Sequence, residues 1–114
     1  MGEMMNENKN EEFEQSLSMM IAYAGDANAK VFDAFDRFNI GEKELAYQIL
    51  DEAQEGLLKA HKYQFSFLSE DAEDGSVLPS VLMIHAMDIC MIASNSIQYT
   101  RKLFALLDEH NLIG

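Results

Sequence analysis

Between positions 81 and 93 the chain reads Val81-Leu82-Met83-Ile84-His85-Ala86-Met87-Asp88-Ile89-Cys90-Met91-Ile92-Ala93, and this stretch limits the possible folds more than any other. As a helix it carries large apolar side chains around nearly its whole circumference, so it must be covered on every side. Within it, His85 and Asp88 stand three positions apart, which makes them neighbours on one helix face. Both are costly to bury, so their presence in such a segment calls for a reason.

The rest of the chain has helical period as well. From about Glu11, Leu17, Ile21, Ala24, Asn28, Val31, Phe35 and Phe38 follow alternating steps of four and three, a helix seam with one polar position. Met20, Ala27 and Ala34 form a second seam that widens the apolar face for two neighbours. Asn39-Ile40-Gly41-Glu42 supplies a break, because Asn and Gly tolerate the left-handed conformation that ends helices. A second helix is expected from about Glu42 to Ser69, with Leu45, Ile49, Ala53, Leu57, Ala60, Gln64 and Phe67 on one side and Gly56 marking a close helix approach. The acidic stretch from Ser69 to Ser76 reads as an exposed loop. Pro79, the only proline, suits the first turn of a third helix that continues to about Glu109. No segment of useful length alternates in period two. The expectation is an all-α antiparallel three-helix bundle over residues 11–114, preceded by a flexible tail over residues 1–10, where the sequence is polar and lacks period. A monomeric bundle normally keeps one polar face on each helix. The first half of the third helix barely has one, and self-association is the simplest cover for its surplus apolar face.

Composition narrows the function classes. With 114 residues the chain fits one domain without room for a separate substrate domain. A formal charge of -12 excludes nucleic acid as a natural partner, since a phosphate backbone is held by clustered Lys and Arg. The single cysteine, Cys90, cannot close an intrachain disulfide and reads as core filler in a protein of the reducing cytoplasm. The amino terminus lacks the basic start and apolar segment of a signal peptide. The longest apolar run, interrupted by His85 and Asp88, falls short of the roughly 20 residues that span a bilayer.

Several chemistries can be set aside. The glycines at 2, 25, 41, 56, 75 and 114 never form a phosphate-cradling motif. A dinuclear bundle site uses Glu-x-x-His on two helices, but His61, His85 and His110 each have a leucine three residues earlier. One cysteine and no matching spacing leave zinc unsupported. There remains an imidazole with a carboxylate one turn on. Histidine is a competent nucleophile near neutral pH, and a hydrogen bond to one ring nitrogen directs the other toward reaction. Spacing alone leaves two readings open: a reactive imidazole, or a mutually satisfied structural pair.

At these residues the sequence resembles the lactose/cellobiose-type enzyme IIA of the bacterial sugar phosphotransferase system (PTS). The family's third-helix motif, His-Ala-Gln-Asp-His-Leu-Met, is matched by His85-Ala86-Met87-Asp88-Ile89-Cys90-Met91. Ala22-Tyr23-Ala24-Gly25-Asp26-Ala27 resembles the first-helix Ala-Tyr-Ala-Gly-Asp-Ala, and Ala60-His61-Lys62-Tyr63-Gln64 the second-helix Ala-His-Lys-x-Gln. The three stand in the family's order across about residues 14–109. The resemblance implies a cytoplasmic homotrimer of three-helix bundles. It also implies that His85 accepts a phosphoryl group from the phosphocarrier HPr and passes it to a cysteine of enzyme IIB, during uptake of a β-glucoside-type disaccharide. By the same resemblance Asp88 meets its trimer mates around a divalent cation such as Mg²⁺, and the membrane is involved only through the permease. Met87 stands where the family has Gln and Ile89 where it has a second His, so two polar groups beside the imidazole are absent. The resemblance leaves a second reading, a non-catalytic trimeric interaction or regulatory module on the same fold. His61 is expected to be a packed or hydrogen-bonded bundle histidine.

Overall fold

The computed structural model describes the backbone of residues 2–74 and 81–110 and the side chains of residues 11–65 and 81–110. It consists of helices α1 (Gly2–Asn39), α2 (Lys43–Asp74) and α3 (Val81–Glu109), with no strand among the described residues. The three-helix bundle expected from the apolar period is the observed architecture. Its direction follows from what meets at one end. Phe38 near the close of α1, Tyr47 near the start of α2 and Phe104 near the close of α3 pack together, and Lys43 Nζ donates to Asp108 Oδ1 at 2.9 Å. The helices therefore run antiparallel in sequence order, forming a rod 65 Å long and 19 by 18 Å across.

The α1–α2 turn is a Schellman ending. Gly41 has φ 93°, Gly41 N donates to Phe38 O at 3.1 Å, and Glu42 N donates to Arg37 O at 2.9 Å. These two bonds satisfy carbonyls that the helix end would otherwise leave bare, and the left-handed backbone that aligns them favours glycine. Arg37 reaches from the last turn of α1 to Glu42 at 3.3 Å, and Glu44 puts negative charge at the amino end of α2.

The core is narrow and built largely from small side chains. α1 buries Leu17, Met20, Ala24, Ala27, Val31, Ala34 and Phe38; α2 buries Ala46, Ile49, Leu50, Ala53, Leu57 and Ala60. Both seams read on α1 thus face inward, although Phe35 at the far end is 37% exposed. On α2 the buried face is turned slightly from the expected line: Ala46 and Leu50 are inside and Leu45 is largely outside. Gly56 lies against α1, where a Cβ would stand 3.7 Å from Tyr23 O and 3.8 Å from the Ala27 Cβ, so the close approach expected there is present.

Two boundaries differ from the sequence reading. α1 begins at Gly2, not near Glu11, and α2 continues through Asp74, past the loop expected from Ser69. Neither stretch, GEMMNENKN over 2–10 or SEDAED over 69–74, has apolar period. Both contain poor helix formers beside Glu and Met or Ala, so the extension follows from a helix already nucleated, which adds one hydrogen bond per residue. The Pro79 turn lies outside the described residues.

α3 inverts the usual distribution of size. Its buried stripe is Ala86, Cys90, Ala93, Ile97, Thr100 and Phe104, small at the start and large only toward the end. Its large side chains point outward: Val81, Ile84, Met91, Ile92 and Tyr99 are each more than half exposed. As a whole α3 is long and apolar enough to cross a membrane by length and composition, with only 22% of its most apolar window buried. The bundle therefore buries one stripe of α3, flanks it with the partly buried Met83, Met87, Ile89 and Leu107, and leaves the outward apolar face uncovered.

Candidate functional site

His85 falls in the second turn of α3, and Asp88 follows one turn later. Both are exposed, and the single chain fully buries only the Ala86, Cys90 and Ala93 side, which leaves the surplus face that self-association is expected to cover. The mutually satisfied core pair is not what forms. Neither His85 nor Asp88 has a hydrogen-bond or ion-pair partner among the described residues. The imidazole is open to an incoming group. Around the pair on the outward side stand Ile84, Met91 and Ile92, all exposed.

The second-helix and third-helix motifs meet on the adjacent side of the bundle. His61 and Gln64 of α2 face Met87, Cys90, Met91, Ser94 and Asn95 of α3 across a cavity of about 210 Å³. His61 is half-buried there. Met87 lines this groove beside His61, whereas Ile89 packs partly buried against the core. Ile89, four residues after His85, flanks it along the helix, whereas Met87 is turned toward the groove. Cys90 sits at the base, where burial pushes its thiol above the ordinary range, as suits an inert core sulfur.

The first-helix motif meets the second on the opposite side of α2. Tyr23 and Tyr63 stack with ring centroids 6.0 Å apart, and Lys59 Nζ lies 5.7 Å from the Tyr23 centroid. With Lys62 they line a cavity of about 330 Å³. Sequence reading did not single out this cluster. Tyr23, Lys62 and Tyr63 stand in the first- and second-helix motif segments, but spacing alone does not bring those segments together or distinguish the lysines from a solvated face.

No group of three or more His, Cys, Asp or Glu residues that could hold a metal ion occurs among the described residues. Asp88 is the only carboxylate in the first half of α3, so no cluster of ligands forms around it within the described residues of one chain.

The comparisons with known proteins agree with this geometry. The family profile described as PTS system, Lactose/Cellobiose specific IIA subunit matches residues 14–108. The chain is 36% identical over 72 residues, 63% of its length and 69% of the relative's, to the lactose-specific EIIA component of Staphylococcus epidermidis. It is 33% identical over 100 residues, 88% of its length and 91% of the relative's, to the lichenan-specific phosphotransferase enzyme IIA component of Bacillus subtilis. Among solved structures, PtcA from S. mutans superposes with a TM-score of 0.81 at 31% identity, covering 86% of this chain and 96% of that one. The PTS cellobiose-specific enzyme IIA from Bacillus anthracis shares the fold, with a TM-score of 0.82 at 24% identity over 90% and 94% of the two chains. With three motif segments in order on three antiparallel helices and a profile match across most of its length, the chain belongs to the lactose/cellobiose-specific enzyme IIA family, the phosphotransferase components that serve as phosphocarriers in sugar uptake.

Proposed function

We propose that His85 is the phosphoryl-accepting residue, loaded by HPr and discharged to a cysteine of enzyme IIB, in the cytoplasmic relay that serves uptake of a β-glucoside-type disaccharide. The observation that carries this reading is the exposed imidazole, without a partner among the described residues, at the first position of the third-helix motif. A ring nitrogen of His85 attacks the phosphorus of phosphohistidine on HPr in line. The new N–P bond forms as the donor's N–P bond breaks; the electron pair stays on the donor ring, which takes up a proton as His85 releases its own N–H proton. In the second transfer a thiolate of enzyme IIB attacks phosphorus, an S–P bond replaces the N–P bond, and the His85 ring regains its proton. Such transfers depend mainly on positioning and on stabilisation of charge.

The chain works in this reading as a homotrimer. The outward face of α3, with Ile84, Met91, Ile92 and Tyr99, is covered by copies of itself, and Asp88 lies on that same face. Three converging carboxylates repel one another. A divalent cation such as Mg²⁺ supplies the charge that offsets this repulsion, with Asp88 of each copy as its protein ligand.

The test is a relay assay with phosphoenolpyruvate, the general PTS kinase and HPr. Wild type is expected to acquire label and pass it to enzyme IIB, and His85→Gln to acquire none. Undiminished label on His85→Gln would sink the assignment. The apolar Met87 and Ile89, at positions where the family has Gln and His, favour one second reading: a trimeric helical interaction or regulatory module that no longer transfers phosphate. An unlabelled wild-type trimer is the result that selects it.

A further inference from the structure

The relay as proposed makes no use of the cavity between α1 and α2, whose charge is unusual for the chain. On a protein of formal charge -12, most described cations are neutralised locally. Lys30 pairs with Asp26, Arg37 with Asp33 and Glu42, Lys43 with Asp108, and Arg101 with Asp51. Lys59, Lys62 and Lys102 have no carboxylate partner among the described residues, and the first two line the same cavity. Glu55 stands one turn before Lys59, a spacing that commonly forms an ion pair. The ammonium lies instead 5.7 Å from the centre of the Tyr23 ring. Positive charge is thus held at the cavity by an aromatic face, which leaves it available to an anion.

The remaining walls specify more than an anion. Tyr23 and Tyr63 are half-buried and stacked, so their ring edges give an apolar wall, and neither phenol hydroxyl has a hydrogen-bond partner among the described residues. The volume of about 330 Å³ admits a small ring compound and not a drug-sized ligand. Two ammonium groups match a dianion, free phenols match hydroxyl groups, and ring edges match the apolar flank of a saccharide.

We propose that Tyr23, Lys59, Lys62 and Tyr63 form a binding site for a phosphorylated monosaccharide. Its described lining comes from α1 and α2, with no residue of α3, so within one chain occupancy does not require His85. The relay reading and this one can therefore fail separately.

The experiment is a titration of the full-length assembled protein, followed by amide and side-chain NMR, with glucose 6-phosphate, glucose and inorganic phosphate as separate probes. Glucose 6-phosphate is expected to shift the resonances of Tyr23, Lys59, Lys62 and Tyr63. It should bind at least about tenfold more tightly than either glucose or phosphate alone, because neither fragment uses both halves of the site. The double variant Lys59→Gln/Lys62→Gln should weaken binding about tenfold or more with unchanged helix content, and His85→Gln should bind as wild type does. Absence of shifts at these four residues, equal binding of inorganic phosphate alone, or undiminished affinity in the double variant would overturn the proposal.

Discussion

Phe104 shows how much a single residue can carry in a narrow bundle. It is fully buried, stacks on Phe38 with centroids 4.0 Å apart, and meets Phe35 and Tyr47 edge-on at 5.4 and 5.7 Å. One ring of α3 thereby joins α1 and α2 at the end where all three helices converge. Truncation removes a large apolar surface and leaves a cavity that rigid helices cannot fill, so Phe104→Ala should cost about 3–5 kcal/mol. Urea unfolding at fixed protein concentration measures it, and a loss below about 1 kcal/mol would contradict the packing. The exposed ion pairs nearby, Lys43 with Asp108 and Arg101 with Asp51, contribute far less, on the order of 0–1 kcal/mol each. At this scale the candidate residue was legible and its setting was not. His85 stands out in the sequence as a polar group in an apolar run, but residue type does not tell which side of that run the chain itself covers.

Among the elements, two glycines make opposite demands. Gly41 holds φ 93° in the turn that ends α1, a conformation in which a side chain is strained. Gly41→Ala should therefore destabilise the bundle by about 1 kcal/mol. Gly56 is helical, and an added Cβ would meet its nearest neighbours at 3.7 and 3.8 Å, ordinary contact distances. Gly56→Ala should be neutral or stabilising by up to about 1 kcal/mol through helix propensity. Thermal unfolding of the two variants side by side checks both, and the same sign for both would refute the distinction. The seams of α1, the break at Asn39–Glu42 and the helical nature of all three segments were legible because side-chain period reports directly on a buried face. The ends of α1 and α2 were not, because a solvated helix extension has no apolar period to read.

For the whole molecule the decisive feature is the inside-out size gradient of α3. Ala86, Cys90 and Ala93 face the chain's own core while Ile84, Met91 and Ile92 face out. An exposed apolar stripe of this length is a demand for a partner surface, and a closed ring of copies satisfies it. Sedimentation equilibrium should find a trimer. Replacing Asp88 should then separate charge from packing: Asp88→Leu is expected to keep the trimer and lose bound divalent metal, as measured by elemental analysis of the dialysed protein. A strict monomer would remove both the interface and the shared cation; full metal retention in Asp88→Leu would remove the ligand assignment alone.

The sequence by itself determined three helices, their order, the turn at Gly41 and the identity of His85, because each of these is written in local period, backbone preference or motif. Tertiary structure decided which third of α3 is inside. It also decided that His85 and Asp88 stand exposed, without a partner among the described residues, and that Lys59 turns from Glu55 to the Tyr23 ring. The division has a physical cause. Period places a side chain on a face, but whether that face is covered, and whether a charge finds its nearest carboxylate or an aromatic ring, depends on how neighbouring helices are rotated against it.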